Sequence, residues 1–335
     1  LRIPVIVISG FLGSGKTTYL LHLLKEIRSR YLQPGILMNE LGKSDVDGII
    51  LDEHSGETME KLLDGCVCCS KKSELISSLT TLLKSKPDVI LIELTGVANP
   101  EEIADAITEP GLIQHMSLKQ IVTVLDAENV LDYNSVFSSD KQLVQTLRRQ
   151  IEVADQIIVN KTDLVKESHL RKVKNMIMKH NENALITFAT HSRVDHTSIL
   201  SGIVKSTGEQ KVNIQRFRMI NPASLSQAKS TVSRVNDSHA EEYRSFARVQ
   251  SLTLPIESRT AVTQENIERF LQRWKDKLLR AKGYMYLSNQ NKTLLMQHAG
   301  KRTYWEETSY LGDAYIVIIG IELDIDRILS DWKSI

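Results

Sequence analysis

Over residues 1–200 the chain alternates between short, almost continuously apolar runs and longer stretches with a helical repeat. Ile3–Ile8, Gly35–Met38, Asp88–Glu93, Gln120–Leu125 and Gln156–Val159 read as buried strands, because a strand covered on both faces has no reason to alternate. Between them Leu20, Leu23, Leu24 and Ile27, and later Leu75, Leu79, Leu82 and Leu83, recur three and four residues apart, as the stripe of an amphipathic helix does. Leu143, Leu147 and Ile151 mark a third helix, and Leu170, Val173 and Ile177 a fourth. Strands separated by helices must pair in parallel through crossovers, which predicts an α/β fold with a doubly wound, mostly parallel sheet.

The texture changes after residue 200. Residues 201–245 are polar and read as a linker with a marginal helix near Asn221–Glu242. A second pattern fills 246–335: strand Arg248–Leu254, helix Thr263–Leu279, strands near Tyr284–Ser288 and Thr293–Gln297, strand Tyr315–Ile321 and helix Asp324–Ile335. These make a smaller α+β domain behind the first, in a chain of 335 residues that is long for one domain. Tyr284, Tyr286, Trp305 and Tyr310 in this part could line a partner surface, although aromatics at strand spacing are more often core.

Charge and composition narrow the class. Forty-two Lys and Arg against forty-one Asp and Glu leave a net charge of +1, which gives no field for holding nucleic acid. The longest apolar runs are far too short to span a bilayer, and the first passes directly into glycines without the layout of a secretory leader. The three cysteines, Cys66, Cys68 and Cys69, stand within four positions, so no disulfide framework is available. The expectation is a reduced, cytoplasmic setting without membrane contact.

Gly10-Phe11-Leu12-Gly13-Ser14-Gly15-Lys16-Thr17 fits G-x-x-x-x-G-K-[ST] between a predicted strand and a predicted helix. Gly10, Gly13 and Gly15 would let backbone N–H groups turn inward around a polyphosphate, with Ser14 inside the loop. Lys16 would reach the β- and γ-phosphates, Thr17 would ligate Mg²⁺ and Thr18 would add a phosphate contact. Asn160-Lys161-Thr162-Asp163 follows a later strand. The Asp163 carboxylate can accept two hydrogen bonds from guanine, whereas adenine would leave it desolvated and unpaired, which discriminates strongly. Asn160 would serve the O6/N7 edge and the Lys161 stem would pack along the base. The expected nucleotide is GTP.

Glu93 closes a strand and is the second expected acid near Mg²⁺, acting directly or through water. Gly96 could offer its N–H to the γ-phosphate, making Leu94–Pro100 one switch. Asn39–Gly48 is the natural other switch, with Asp47 positioning the attacking water. Lys16, Asp47 and Glu93 are therefore the catalytic candidates. Cys66, Cys68 and Cys69 precede a helical stretch. Thiols there favour the thiolate and hence a soft metal, with zinc leading over buried apolar cysteines or a redox pair.

The strings GFLGSGKTT, NELG, GCVCC, IELTGVANP and NKTD, in this order, resemble the CobW family of P-loop GTPases. LLRAKGYMYL (Leu278–Leu287) and YIVIIGIELD (Tyr315–Asp324) are similar to that family's second domain. The resemblance implies a GTP-dependent metallochaperone, most often for zinc and in some members for cobalt in cobalamin synthesis, with Cys66, Cys68 and Cys69 as the metal ligands. It also implies a client metalloprotein, and leaves room for a nucleotide-dependent homodimer. Two departures stand out. Lys43 occupies a first-switch position that is acidic in many members, and His239 is alone where many carry a histidine-rich run. A GTP-dependent thiol redox or regulatory switch is the reading from a different class.

Overall fold

The structure, a computed structural model, describes residues 2–39, 59–62, 70–135, 140–205, 248–256, 262–287, 292–299 and 302–335. Its first half is a seven-stranded sheet of β1 (Ile3–Ser9), β2 (Pro34–Asn39), β3 (Met59–Leu62), β4 (Val89–Glu93), β5 (Met116–Asp126), β6 (Gln156–Asn160) and β7 (Leu185–Phe188). The spatial order is β3-β2-β4-β1-β5-β6-β7 and every pairing is parallel. The chain winds outward from β1 to β2 and β3, returns to β4, then crosses β1 and runs the other way. The carboxyl ends of β1 and its neighbours are thus a topological switch point, where open α/β sheets open a crevice.

Both faces of this sheet are buried, and the alternation of β1 shows how. Ile6 and Ile8 pack with Leu20, Leu23 and Ile27 of helix α1 (Lys16–Ser29). Val5 and Val7 pack on the other face with Leu79 and Leu82 of α2 (Ser70–Lys84) and with Ile103 and Ala104 of α3 (Glu101–Ile107). Beyond β5 follow the short α4 (Val130–Tyr133), α5 (Lys141–Glu152) and α6 (Glu167–His180), which cover β5 and β6 through Leu147, Ile151, Val173 and Ile177.

The second half is a five-stranded antiparallel sheet in the order β11-β10-β9-β12-β8. It consists of β8 (Val249–Pro255), β9 (Leu278–Leu287), β10 (Lys292–Ala299), β11 (Arg302–Glu307) and β12 (Tyr315–Ile321), with α7 (Gln264–Arg273) and α8 (Ile325–Trp332). Strict alternation sorts its two faces. Ile316, Ile318, Ala281 and Met285 pack with Phe270 and Leu271 of α7. Val249, Val317 and Ile319 point the other way and join the core of the first sheet beside Ile103 and Ile107.

The helix expected over Thr263–Leu279 is corrected: it ends at Arg273, and Leu278–Leu287 is one strand. Leu278 continues the helical spacing of Leu271 and Trp274, but the backbone pairs across the sheet with Gly320, and sheet pairing overrides local periodicity. Strands β3, β7 and β11 and helix α3 were not anticipated. In β7, Leu185 is 55% and Phe188 43% exposed, so this edge strand is too short and too open to carry a strand pattern. Of the aromatics, Tyr286 is exposed, Trp305 packs against the α7 core, and Tyr284 stacks with Tyr310 at 4.2 Å between ring centres. The linker 206–247 lies outside the described residues.

Candidate nucleotide site

Because all seven strands run the same way, their carboxyl ends bring distant residues to one edge. The register sets Ile8 opposite Glu93 and Asp126 opposite Asn160. The loop after β1 turns into α1 through Gly10, Gly13 and Gly15, with φ of 133°, 69° and 103°. Helix α1 then starts at Lys16 with no side-chain cap, since Gly15 has none to offer. The first backbone N–H groups of a helix lack partners within it, so an uncapped start facing a crevice suits an anion. Lys16 is 8% exposed and its ammonium donates to the Phe11 carbonyl at 3.0 Å, folded back across the loop. The Ser14 hydroxyl is fully buried and meets no partner among the described residues. Buried hydroxyls are normally satisfied, and a phosphate oxygen cradled by the loop is the kind of acceptor this one fits.

At the next strand end the Thr17 hydroxyl donates to Glu93 Oε1 at 2.9 Å. Two hard oxygen donors side by side are the donor set that Mg²⁺ takes beside a polyphosphate, so these residues fit that ion. Behind Glu93 the loop of residues 94–100 rests on the phosphate loop. A Cβ built on Gly96 would lie 2.6 Å from the Leu12 nitrogen, so only glycine allows this approach.

The Asn160–Asp163 segment is held in a different way. Asn160 is 3% exposed, and its amide donates to the Ser14 carbonyl at 2.9 Å while its Oδ1 accepts the Ser192 N–H at 2.7 Å. Each end thus makes one bond within the protein, joining β6 to the phosphate loop and to the loop after β7. This bracing position leaves the second N–H and the second lone pair of the Asn160 amide open to a base edge. Ser192, absent from the sequence expectations, completes the brace by donating its hydroxyl to the Gly15 carbonyl at 3.0 Å. No motif surrounds it, and 177 residues separate the partners, so no sequence signal could have found it.

Lys161 adopts a left-handed φ of 62° and its ammonium pairs with Asp126 Oδ2 at 2.8 Å. Burial works against the charge of Asp126. The Lys161 ammonium, the Asn129 amide and the Glu128 N–H nevertheless hold its carboxyl below the usual range. Asp163 lies exposed in the turn Thr162–Leu164, open to the same edge. The structure therefore gathers Gly10, Gly13, Ser14, Gly15, Lys16, Thr17, Glu93, Gly96, Asn160, Lys161 and Asp163 around one strand edge, and Thr18 sits exposed on the first turn of α1. Asp47 and the cysteines 66, 68 and 69 lie outside the described residues. No helix among the described residues is long and apolar enough to cross a membrane.

Family models match both parts of the chain. The family model described as CobW/HypB/UreG, nucleotide-binding domain, matches residues 4–188, and the cobalamin synthesis protein cobW C-terminal domain matches 251–335. The chain is 33% identical over 221 residues to a protein of Schizosaccharomyces pombe named zinc-regulated GTPase metalloprotein activator 1, covering 64% of this chain and 52% of that one. It is 27% identical over 352 residues to the zinc chaperone YjiA of Escherichia coli, covering 99% of this chain and 98% of the relative. Among the first four curated relatives it spans only about half of each, 48% to 56%. A solved structure, Zn(II)-bound YjiA GTPase from E. coli, aligns over 100% of this chain and 99% of its own at 20% identity with a TM-score of 0.46. With a family model covering residues 4–188 and a second covering 251–335, the chain belongs to the CobW/HypB/UreG family.

Proposed function

We propose that this protein binds and hydrolyses GTP and uses the nucleotide to time the carriage of zinc, or a divalent metal of similar preference, to a client metalloprotein. The observation that carries the reading is the Thr17–Glu93 pair, 2.9 Å apart, beside the buried Lys16 at an uncapped helix start. That set answers the needs of a phosphoryl-transfer site: a cation for the β- and γ-phosphates, a metal-ligating hydroxyl and a second acid. Thr17 and Glu93 would hold Mg²⁺, which would neutralise phosphate charge there.

The roles of the chain's own residues follow. Lys16 offsets phosphate charge. Asp163 accepts from guanine, while Asn160 and Ser192 keep the base loop in register with the phosphate loop. Gly96 donates to the γ-phosphate, and Asp47 orients the attacking water. Cys66, Cys68 and Cys69 hold the carried metal. The family and its zinc-named relatives support zinc as that cargo, and the setting is proposed as cytoplasmic. Energy limits what the nucleotide can do. Thiolate-rich zinc sites bind with roughly 10–16 kcal/mol, while coupling between sites is about 1–3 kcal/mol. Hydrolysis loosens the metal, and the client must take it by ligand exchange. Intrinsic turnover is expected at roughly 10⁻⁴ to 10⁻² s⁻¹.

The test is zinc affinity by chelator competition, with GDP and then with a non-hydrolysable GTP analogue and Mg²⁺. The carrier model requires several-fold tighter zinc in the triphosphate state, and Cys68→Ser must abolish the difference. Equal affinities in the two states would overturn it.

A further inference from the structure

The loop between β4 and α3 is gripped along its length. At its entry Leu94 N–H donates to the Ile8 carbonyl at 2.9 Å. At its exit Arg149 of α5 holds Glu101 at 2.8 Å. In its middle the neighbouring Gln150, fully buried, donates from Nε2 to two carbonyls, Gly96 at 3.2 Å and Ala98 at 3.1 Å. Both partners are acceptors, so the amide orientation is fixed by chemistry: flipped, its oxygen would face two carbonyls.

The other end of this amide is unusual. Gln150 Oε1 is buried and meets no donor among the described residues. A side chain kept for packing alone would be leucine or methionine, which bring no unmatched acceptor into the core; such a group calls for an explanation. The position of Gly96 supplies one. Its backbone lies directly on the phosphate loop, 2.6 Å from Leu12 N if a Cβ were added, and Gln150 holds its carbonyl from behind. The anchor is itself tied to the strand that carries the phosphate loop. Thr123 Oγ1 donates to the Gln150 backbone carbonyl at 2.9 Å and shares a hydrogen bond of 2.7 Å with Ser9 at the end of β1.

We infer that Gln150 is the positioning residue for the terminal phosphate: it fixes residues 94–100 so that the Gly96 N–H meets a γ-phosphate, and so lets the site tell a nucleoside triphosphate from a diphosphate. This rests on the GTP reading above. A diphosphate has no atom at the place that the loop guards, so its binding does not depend on Gln150.

The experiment titrates a fluorescent GDP and a fluorescent non-hydrolysable GTP analogue, with Mg²⁺, into the full chain as wild type, Gln150→Leu and Gln150→Glu, alongside steady-state GTP hydrolysis. In Gln150→Leu, with two hydrogen bonds lost, analogue affinity falls about tenfold or more, GDP affinity is unchanged, and kcat drops with it. In Gln150→Glu the triphosphate preference is lost near neutral pH and partly returns in mildly acidic buffer, where a protonated carboxyl can donate to one of the two carbonyls. If the leucine variant does not fold, the glutamate variant and its pH profile carry the test. Equal weakening of both nucleotides, or an unchanged ratio between them, overturns the inference. A wild-type chain that binds neither nucleotide overturns the GTP reading together with it.

Discussion

At the nucleotide edge, Asn160 and Ser192 join β6, the phosphate loop and the loop after β7 through neutral hydrogen bonds. At the junction between the sheets, ion pairs stand beside the shared apolar core. Lys72 near the start of α2 reaches Asp105 at 2.7 Å and Glu109 at 2.9 Å, while Arg280 and Lys282 of β9 reach the same two acids from the second sheet. Burial separates the two regions as well. Asn160 and Ser192 are sealed, whereas the Lys72 and Arg280 side chains are 36% and 32% exposed around acids that are nearly covered. Sealed neutral bonds are directional, unscreened and costly to leave half made. Partly exposed ion pairs are weaker, sensitive to salt and tolerant of small shifts in geometry. The first arrangement suits a cradle whose shape must not vary. The second suits a joint between the α2 segment that follows the three cysteines, the helix that follows residues 94–100, and the second sheet.

That contrast can be broken experimentally, and the largest effect belongs to the cradle. Asn160→Leu strips partners from the Ser14 carbonyl and the Ser192 N–H. At roughly 1–3 kcal/mol per orphaned group, urea unfolding is expected to show a loss of about 3–4 kcal/mol that salt does not change. A salt-dependent loss would contradict the assignment of this region as neutral.

Next comes pH. Asp155, beneath the start of β8, accepts N–H groups from Ile121 and Arg248, yet burial outweighs them and pushes its carboxyl up to about 6. A carboxyl raised in the folded state is a protonation that folding favours. Its contribution is therefore fully present below the unfolded value of about 4 and lost as pH rises through about 6, about 3 kcal/mol in all. Asp155→Asn should flatten the stability profile between those pH values; an unchanged slope would show that Asp155 is not its source.

Lys282→Met removes the best-buried base of the junction and leaves Glu109 to Lys72. About 1.5 kcal/mol is expected, between the figures for exposed and buried pairs. Because Lys282 and Glu109 are only 12% and 11% exposed, this loss should shrink less with salt than that of Arg280→Met, and the reverse order would contradict the screened-joint picture. Smallest is Ser192→Ala, about 1 kcal/mol for one neutral bond, again without salt dependence. An effect larger than that of Asn160→Leu would reverse the assignment of the central brace.

The same contrast explains what could be read from the sequence. The phosphate loop and NKTD carry short, local patterns because each packs its residues into one turn at a strand end, and the buried strands announce themselves by continuous apolar runs. Ser192 and Gln150 are single polar residues whose partners lie 177 and 54 residues away, and pairings at that range leave no local trace. Strand β11, Arg302–Glu307, was hidden by its charges. It alternates Thr303 and Trp305 inward against charged and exposed neighbours on a sheet edge, a pattern that passes for a solvated loop. The overlong helix at Thr263–Leu279 failed for the converse reason, because two leucines kept a helical rhythm that the sheet had claimed.

The shared core has a further consequence, for how the chain is made. Val249, Val317 and Ile319 of the second sheet are at most 2% exposed because they lie against Ile103, Ala106 and Ile107 of the first. Burying such side chains contributes about 1.5–3 kcal/mol each. A carboxyl-terminal half cut free would present that apolar strip to water and to other copies of itself. During synthesis the amino-terminal half emerges first and carries the complementary surface, so the later half is expected to complete its fold against it. Calorimetry of the intact chain is then expected to record one cooperative melting event rather than two.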